Sequence, residues 1–99
     1  MEVIRINVNK QMDGYTFSIG PSIRQMIKGW FPTAHPANSI FVSYDTKSGF
    51  EVYISKLESY IYPALLGVDN QADLNKKVNE IQFVDTQTDN VLFTHKVTA

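Results

Sequence analysis

The sequence predicts an α+β domain with a mainly antiparallel sheet, and three observations lead to this prediction. Apolar and polar residues alternate in six short segments that pair in order as three β-hairpins. One well-marked amphipathic helix, at about residues 21–31, follows the first hairpin. Weaker helical patterns around residues 56–66 and 71–78 follow the second hairpin. The hairpins account for every strand, so no parallel pairing is required. We expect the helix to pack on one face of the sheet.

Composition limits the class of protein. With 99 residues, 43% of them hydrophobic and 12% aromatic, the chain should form a single globular domain over residues 1–99. It has no cysteine, which excludes disulfides and thiolate sites and favours a cytoplasmic location. The amino-terminal alternation predicts neither a signal peptide nor a membrane span. A formal charge of −1 argues against binding through phosphate neutralisation, so we do not expect a nucleic-acid partner.

The first hairpin is predicted from the alternation of residues 3–10 and from the Asp13-Gly14 pair, which is typical of a two-residue turn. That turn would place Lys10 opposite Phe17. In this register the apolar residues of both strands share one face of the sheet, as a strand pair packed on one side requires.

The helix at residues 21–31 is predicted from its ends and from its apolar stripe. Pro21 suits the first helical position, and Pro32 forces the preceding residue out of the helical conformation. Four apolar residues fall at i, i+3, i+4 and i+7 and should face the core: Ile23, Met26, Ile27 and Trp30.

The second and third hairpins predict a partly apolar reverse face of the sheet. The register that buries Tyr44 with Phe50 places two aromatic residues opposite one another on the reverse side, and the register that pairs Phe83 with Phe93 places two aliphatic residues there. These four residues are the candidate partner-binding surface: Phe41, Tyr53, Val84 and Leu92. Two interpretations stay open, because the segment at 57–66 has its own apolar stripe and could fold over this face and bury it.

Catalytic and metal-binding patterns are not found in the sequence. His35 and His95 stand sixty positions apart without ligand spacing, and each is interpreted as a structural or solvated residue. The carboxylates fall mainly in turns and at helix starts, where backbone chemistry accounts for them. We therefore expect no enzyme activity, no cofactor and no metal.

By elimination, the sequence predicts a small non-catalytic protein-interaction module that binds another protein or itself. Inhibitors, adaptors and accessory proteins, including those of viruses and mobile elements, are of this type. The alternative is a small-ligand or nucleotide-binding domain, alone or in an oligomer, that uses basic residues beside aromatic rings. The basic residues considered for it are Arg5, Lys10, Arg24 and Lys96. A small enzyme ranks below both.

Overall fold

The structure is a computed structural model that describes residues 2–43, 56–68 and 71–97. Within these ranges it is a small α+β fold in which short helices pack on a five-stranded sheet, so the predicted α+β class is confirmed. In chain order the elements are β1 (Glu2–Gln11), β2 (Gly14–Ser18), α1 (Pro21–Trp30), β3 (Ser39–Ser43), a π-helical turn (Leu57–Ile61), α2 (Tyr62–Leu66), α3 (Gln71–Lys77), β4 (Val78–Asp85) and β5 (Val91–Lys96). The predicted pairing of Tyr44 with Phe50 lies outside the described residues.

The sheet is mixed, with the strand order β3-β2-β1-β4-β5. Three of its pairings are antiparallel, but β1 and β4 run parallel at the centre, with Ile4 beside Ile81 and Ile6 beside Phe83. The expectation that hairpins alone account for the sheet is therefore wrong at its middle. Alternation of apolar residues is the same for a strand paired in either direction, so it cannot reveal a parallel neighbour.

The turn of the first hairpin lies one residue earlier than predicted, which shifts the pairing of its strands by two residues. Its loop is Met12-Asp13, and Lys10 lies opposite Tyr15 rather than Phe17. Because side chains alternate with a period of two, this shift leaves every side chain on its predicted face.

Gly14 explains the shift, because it is needed inside β2 and not in the turn. It pairs with Ser43 of β3. A Cβ added at Gly14 would overlap the carbonyl oxygen of Val42 and would lie 2.8 Å from Cζ of Phe41. Glycine at this position therefore allows the β3 backbone and the Phe41 ring to approach β2 closely.

The hydrophobic core lies on one face of the sheet. At its centre the ring of Phe17 on β2 meets the ring of Phe83 on β4 edge to face, with centroids 5.9 Å apart. The inward residues of β1 lie among the buried core side chains: Ile4, Ile6 and Val8. This alternation confirms which face of β1 points inward.

Helix α1 closes part of this core. Pro21 occupies its first turn, and the Phe31 N–H ends the helix by donating to the Ile27 carbonyl at 2.8 Å. Ile27 is fully buried, and Ile23 and Trp30 pack half buried against the core. The fourth residue of the stripe, Met26, is half buried outside the core cluster.

The segment that was considered as a cover for the reverse face packs on the core face instead. Its buried side chains belong to the same cluster as the inward residues of β1: Ile61, Tyr62, Leu65 and Leu66. Gly67 ends α2 in the left-handed conformation, with φ of 70°. The Leu65 carbonyl accepts a 2.9 Å hydrogen bond from Ala37, which ties α2 to the loop before β3. The reverse face is therefore not buried by these side chains.

Candidate interaction surfaces

The three predicted surface residues that the structure describes are not brought together. Phe41 on β3 is 48% exposed and Leu92 on β5 is 47% exposed. These strands lie at opposite ends of the described sheet, so four strand spacings, or about 19 Å, separate them. Tyr53 lies outside the described residues. A single patch made of Phe41, Val84 and Leu92 is excluded by this strand order.

Val84 is buried, which differs from its predicted place on an exposed surface. Phe83 pairs with Phe93 as predicted, but a β-bulge follows, so Val84 pairs with Val91 and not with Leu92. Val84 is only 1% exposed, although it lies outside the main core cluster.

An ion pair joins β1 to the loop between β4 and β5 on the reverse face. Arg5 is paired with Gln82, and its Nη2 reaches Oδ1 of Asp89, in the β4–β5 loop, at 3.6 Å. Val84 lies between Gln82 and that loop in the chain, so we infer that the Arg5 stem passes over it. The aliphatic part of an arginine can bury an apolar neighbour in this way.

Other polar side chains on the reverse face bind one another. Gln11 Nε2 donates to Oγ1 of Thr16 at 2.7 Å, and Gln82 Nε2 donates to Oε1 of Glu80 at 3.2 Å. Lys96 Nζ lies 3.2 Å from Oε2 of the same glutamate. Because these groups are already paired, the exposed apolar side chains toward the edges of the sheet are better candidates for contact with a partner.

The first such candidate is a cleft beside β3 with a volume of about 450 Å³. We call it the aromatic cleft, and its lining residues are Phe41, Val42, Ser43, Lys56, Ser59 and Tyr60. Its two rings are both half exposed, since Tyr60 is 49% accessible. The cleft therefore combines aromatic surface with an ammonium group and two hydroxyl groups, which suits contact with a partly apolar polypeptide.

Tyr60 was missed as a surface residue because the sequence pattern assigns it to the apolar stripe of a helix. In the structure it belongs to the π-helical turn, where Ile61 N–H donates to the Lys56 carbonyl at 3.2 Å, five residues back. The wider turn breaks the 3.6-residue period. Tyr60 consequently faces solvent while Ile61 is fully buried. Such π-helical insertions occur frequently at functional sites.

The second candidate surface is strand β5, which we call the β5 edge. Val91 and Leu92 are both half exposed at its start. Within the described ranges β5 pairs only with β4, so it forms one end of the sheet. Sheet edges with apolar side chains are recognised sites of strand pairing between chains.

His35 and His95 lie in different elements and do not form one site. His35 is exposed in the loop before β3, and His95 is half buried on β5, where its ring packs against Tyr62 with centroids 5.6 Å apart. In the part of the chain that the structure describes, no three histidine, aspartate or glutamate side chains are grouped closely enough to hold a metal ion.

Three of the basic residues considered for ligand binding contact their own chain. Arg5 and Lys96 pair with carboxylates, and Arg24 Nη2 donates to the Pro36 carbonyl at 3.5 Å. Arg24 also lines a shallow depression of about 300 Å³ along α1, together with Pro21, Gln25 and Lys28. Lys28 Nζ donates to the carbonyls of Pro32 and Ala34 at 3.1 and 2.9 Å. Arg24 and Lys28 therefore help to hold α1 and the following loop in place.

Comparison of the chain with protein-family models, with curated proteins and with solved structures found no match. None of the helices in the described ranges has the length and apolar character needed to cross a membrane. The surfaces of this chain are interpreted below from their own geometry.

Proposed function

We propose that this protein is a small non-catalytic protein-interaction module and that it binds its partner through the aromatic cleft. The observation that carries the proposal is the exposure of two aromatic rings, Phe41 and Tyr60, in one depression. Aromatic residues are enriched among the few interface residues that carry most of the binding energy, and Tyr in particular is a frequent hot spot. An inhibitor, an adaptor or an accessory protein of the cytoplasm would use such a surface.

The side chains that line the cleft indicate which kind of partner would bind there. The two rings offer apolar surface to an inserted side chain, while Lys56 offers a positive charge at the same cleft. Ser43 and Ser59 add hydroxyl groups that bind backbone carbonyls or carboxylates. The expected partner is therefore a protein segment that presents a large apolar side chain next to an acidic residue.

Capture experiments with three baits test this proposal. The wild-type protein, Tyr60→Ser and Leu92→Ser are immobilised in equal folded amounts and exposed to lysate of the native host. Leu92→Ser is the matched control, because it removes a half-exposed apolar side chain at the far end of the sheet. We expect one protein, retained in stoichiometric amount by the wild type and by Leu92→Ser, to be lost with Tyr60→Ser. Equal retention by all three baits would contradict the role of the cleft.

A small-molecule ligand is the alternative outcome. The three purified baits are denatured, and the released material is examined by mass spectrometry. Stoichiometric release of a small molecule from the wild type, without any retained protein, would support a ligand-binding domain and reject the interaction module.

A further inference from the structure

Helix α1 carries two positive charges that no acidic side chain neutralises within the described residues. Arg24 and Lys28 lie one helical turn apart, and their side chains donate hydrogen bonds to neutral backbone carbonyls. Between Asp13 and Asp45 the sequence has no aspartate or glutamate. Like charges at this spacing repel each other on a helix, so an anion beside both of them would be stabilising.

Both cations line the same depression along α1, which we call the α1 depression. Its lining residues are Pro21, Arg24, Gln25 and Lys28. They follow the spacing i, i+3, i+4 and i+7, so they share one face of the helix. With a volume of about 300 Å³, the depression has room for a phosphate group. None of its lining residues belongs to the aromatic cleft.

The start of α1 adds positive potential at the Pro21 end of the depression. The first turn has no acidic residue, and the N-cap residue, Gly20, has no side chain that could cap the helix. Backbone N–H groups at a helix start lack partners within the helix, and the helix dipole places partial positive charge there. An anion in the α1 depression would offset this charge together with that of Arg24.

The guanidinium group of Arg24 has a donor without an acceptor. Its Nε is buried and has no hydrogen-bond partner within the described residues. Its Nη2 reaches the Pro36 carbonyl at 3.5 Å, which is longer than most N–H···O hydrogen bonds. A buried donor without an acceptor is unfavourable, and the long contact holds the group only weakly. A small rotation toward the depression would therefore bring Nε to an acceptor at little cost.

We propose that the α1 depression binds a phosphate group between Arg24 and Lys28. Arginine binds phosphate through two parallel N–H groups, here those of Nε and one Nη. Lys28 donates two of its three ammonium protons to the carbonyls of Pro32 and Ala34, and the third is directed to the phosphate. The phosphate is either free or part of a small ester. Because the site is separate from the aromatic cleft, it goes beyond the proposed function and is independent of it.

Nuclear magnetic resonance of the isotope-labelled protein tests this site, with inorganic phosphate as the probe. Phosphate at neutral pH is compared with sodium chloride of equal ionic strength, because salt alone screens charged groups. The signals followed are the Nε–H of Arg24 and the backbone amides in the first turn of α1. We expect saturable shifts of these signals with phosphate and not with chloride.

Three variants of equal net charge test the residues. Arg24→Gln, Lys28→Gln and the control Lys10→Gln each remove one positive charge, and Lys10 is exposed on β1 outside the lining of the depression. Each of the first two should raise the phosphate dissociation constant by about tenfold or more, whereas Lys10→Gln should leave it within about twofold. Circular dichroism checks folding. Lys28 is exposed, so its variant provides the test if Arg24→Gln does not fold.

Equal shifts with chloride, shifts that do not saturate, or equal weakening by all three variants would overturn the proposal, since each would show only a general effect of charge. A second titration with glycerol 3-phosphate identifies the source of the phosphate group. Tighter binding of this ester than of inorganic phosphate would assign the site to small phosphate esters, and weaker binding would assign it to free phosphate.

Discussion

Tyr60 and Ile61 are consecutive in the chain but face opposite environments, the first half exposed in the aromatic cleft and the second fully buried in the core. Both lie in the π-helical turn from Leu57 to Ile61, where the Ile61 N–H donates to the Lys56 carbonyl five residues back and the 3.6-residue period is broken. The exposure of Tyr60 depends on this local geometry, which a regular α-helix would not provide.

The position of α1 is tested by truncating its most buried side chain. Ile27→Ala should lower the free energy of unfolding by about 2–5 kcal/mol, because a fully buried aliphatic side chain leaves a cavity. Gln25→Ala, on the exposed side of the same helix, should change it by less than about 0.5 kcal/mol. Chemical denaturation measures both values. Equal stabilities would show that α1 does not close the core.

Gly14 and Gly29 have different surroundings, so replacing each of them with alanine should change the stability of the fold in opposite directions. Gly14→Ala should destabilise the fold by about 1–3 kcal/mol or more, because the added Cβ overlaps the β3 backbone. Gly29→Ala should stabilise it by about 0.5–1 kcal/mol, since nothing lies within 4 Å of the added Cβ and alanine favours a helix. Thermal unfolding of the two variants measures both changes in stability. A stabilising Gly14→Ala would contradict the observed register of β2 and β3.

The burial of Val84 on the reverse face predicts a difference between two neighbouring aliphatic residues. Val84→Ala should cost about 1.5–3 kcal/mol in unfolding free energy, because the two lost carbons are fully buried. Leu92→Ala should cost less than about 1 kcal/mol, because that side chain is half exposed. Chemical denaturation measures both values. A larger loss for Leu92→Ala would contradict the bulge after Phe83.

The cover provided by Arg5 gives a further prediction. Arg5→Ala should lower stability more than removal of the ion pair alone, because we infer that the arginine stem covers Val84. Asp89→Asn removes only the charge of an exposed pair, and such pairs contribute about 0–1 kcal/mol. Denaturation curves of the two variants should therefore differ. Identical losses would show that the arginine acts through its charge only.

The sequence predicts local features of this fold better than distant ones. The bounds of α1 follow from Pro21 and Pro32 and from the helical period, and the pairing of Phe83 with Phe93 follows from alternation in two adjacent segments. The parallel pairing of β1 with β4 joins residues more than seventy positions apart, and no short-range pattern reports it.

For the candidate surface, too, the sequence predicts local features better than distant ones. Alternation assigns Phe41 and Leu92 to the reverse side of the sheet, and both side chains are half exposed in the structure. Their separation depends on strand order, which the sequence does not reveal. Val84 is buried beside a bulge, and Tyr60 is exposed in a π-helical turn. These are interactions beyond the alternating pattern.

The affinity of the captured partner for the Phe41→Ser variant, measured by calorimetry and expressed per folded molecule, tests the interaction module most directly. Phe41 lines the aromatic cleft and is half exposed on strand β3 at one end of the described sheet, so the variant should remain folded. We predict that it binds the partner at least about tenfold more weakly than the wild type, as expected for loss of an aromatic hot spot, while Leu92→Ser binds within about twofold of the wild type. An unchanged affinity for Phe41→Ser would contradict binding through the aromatic cleft.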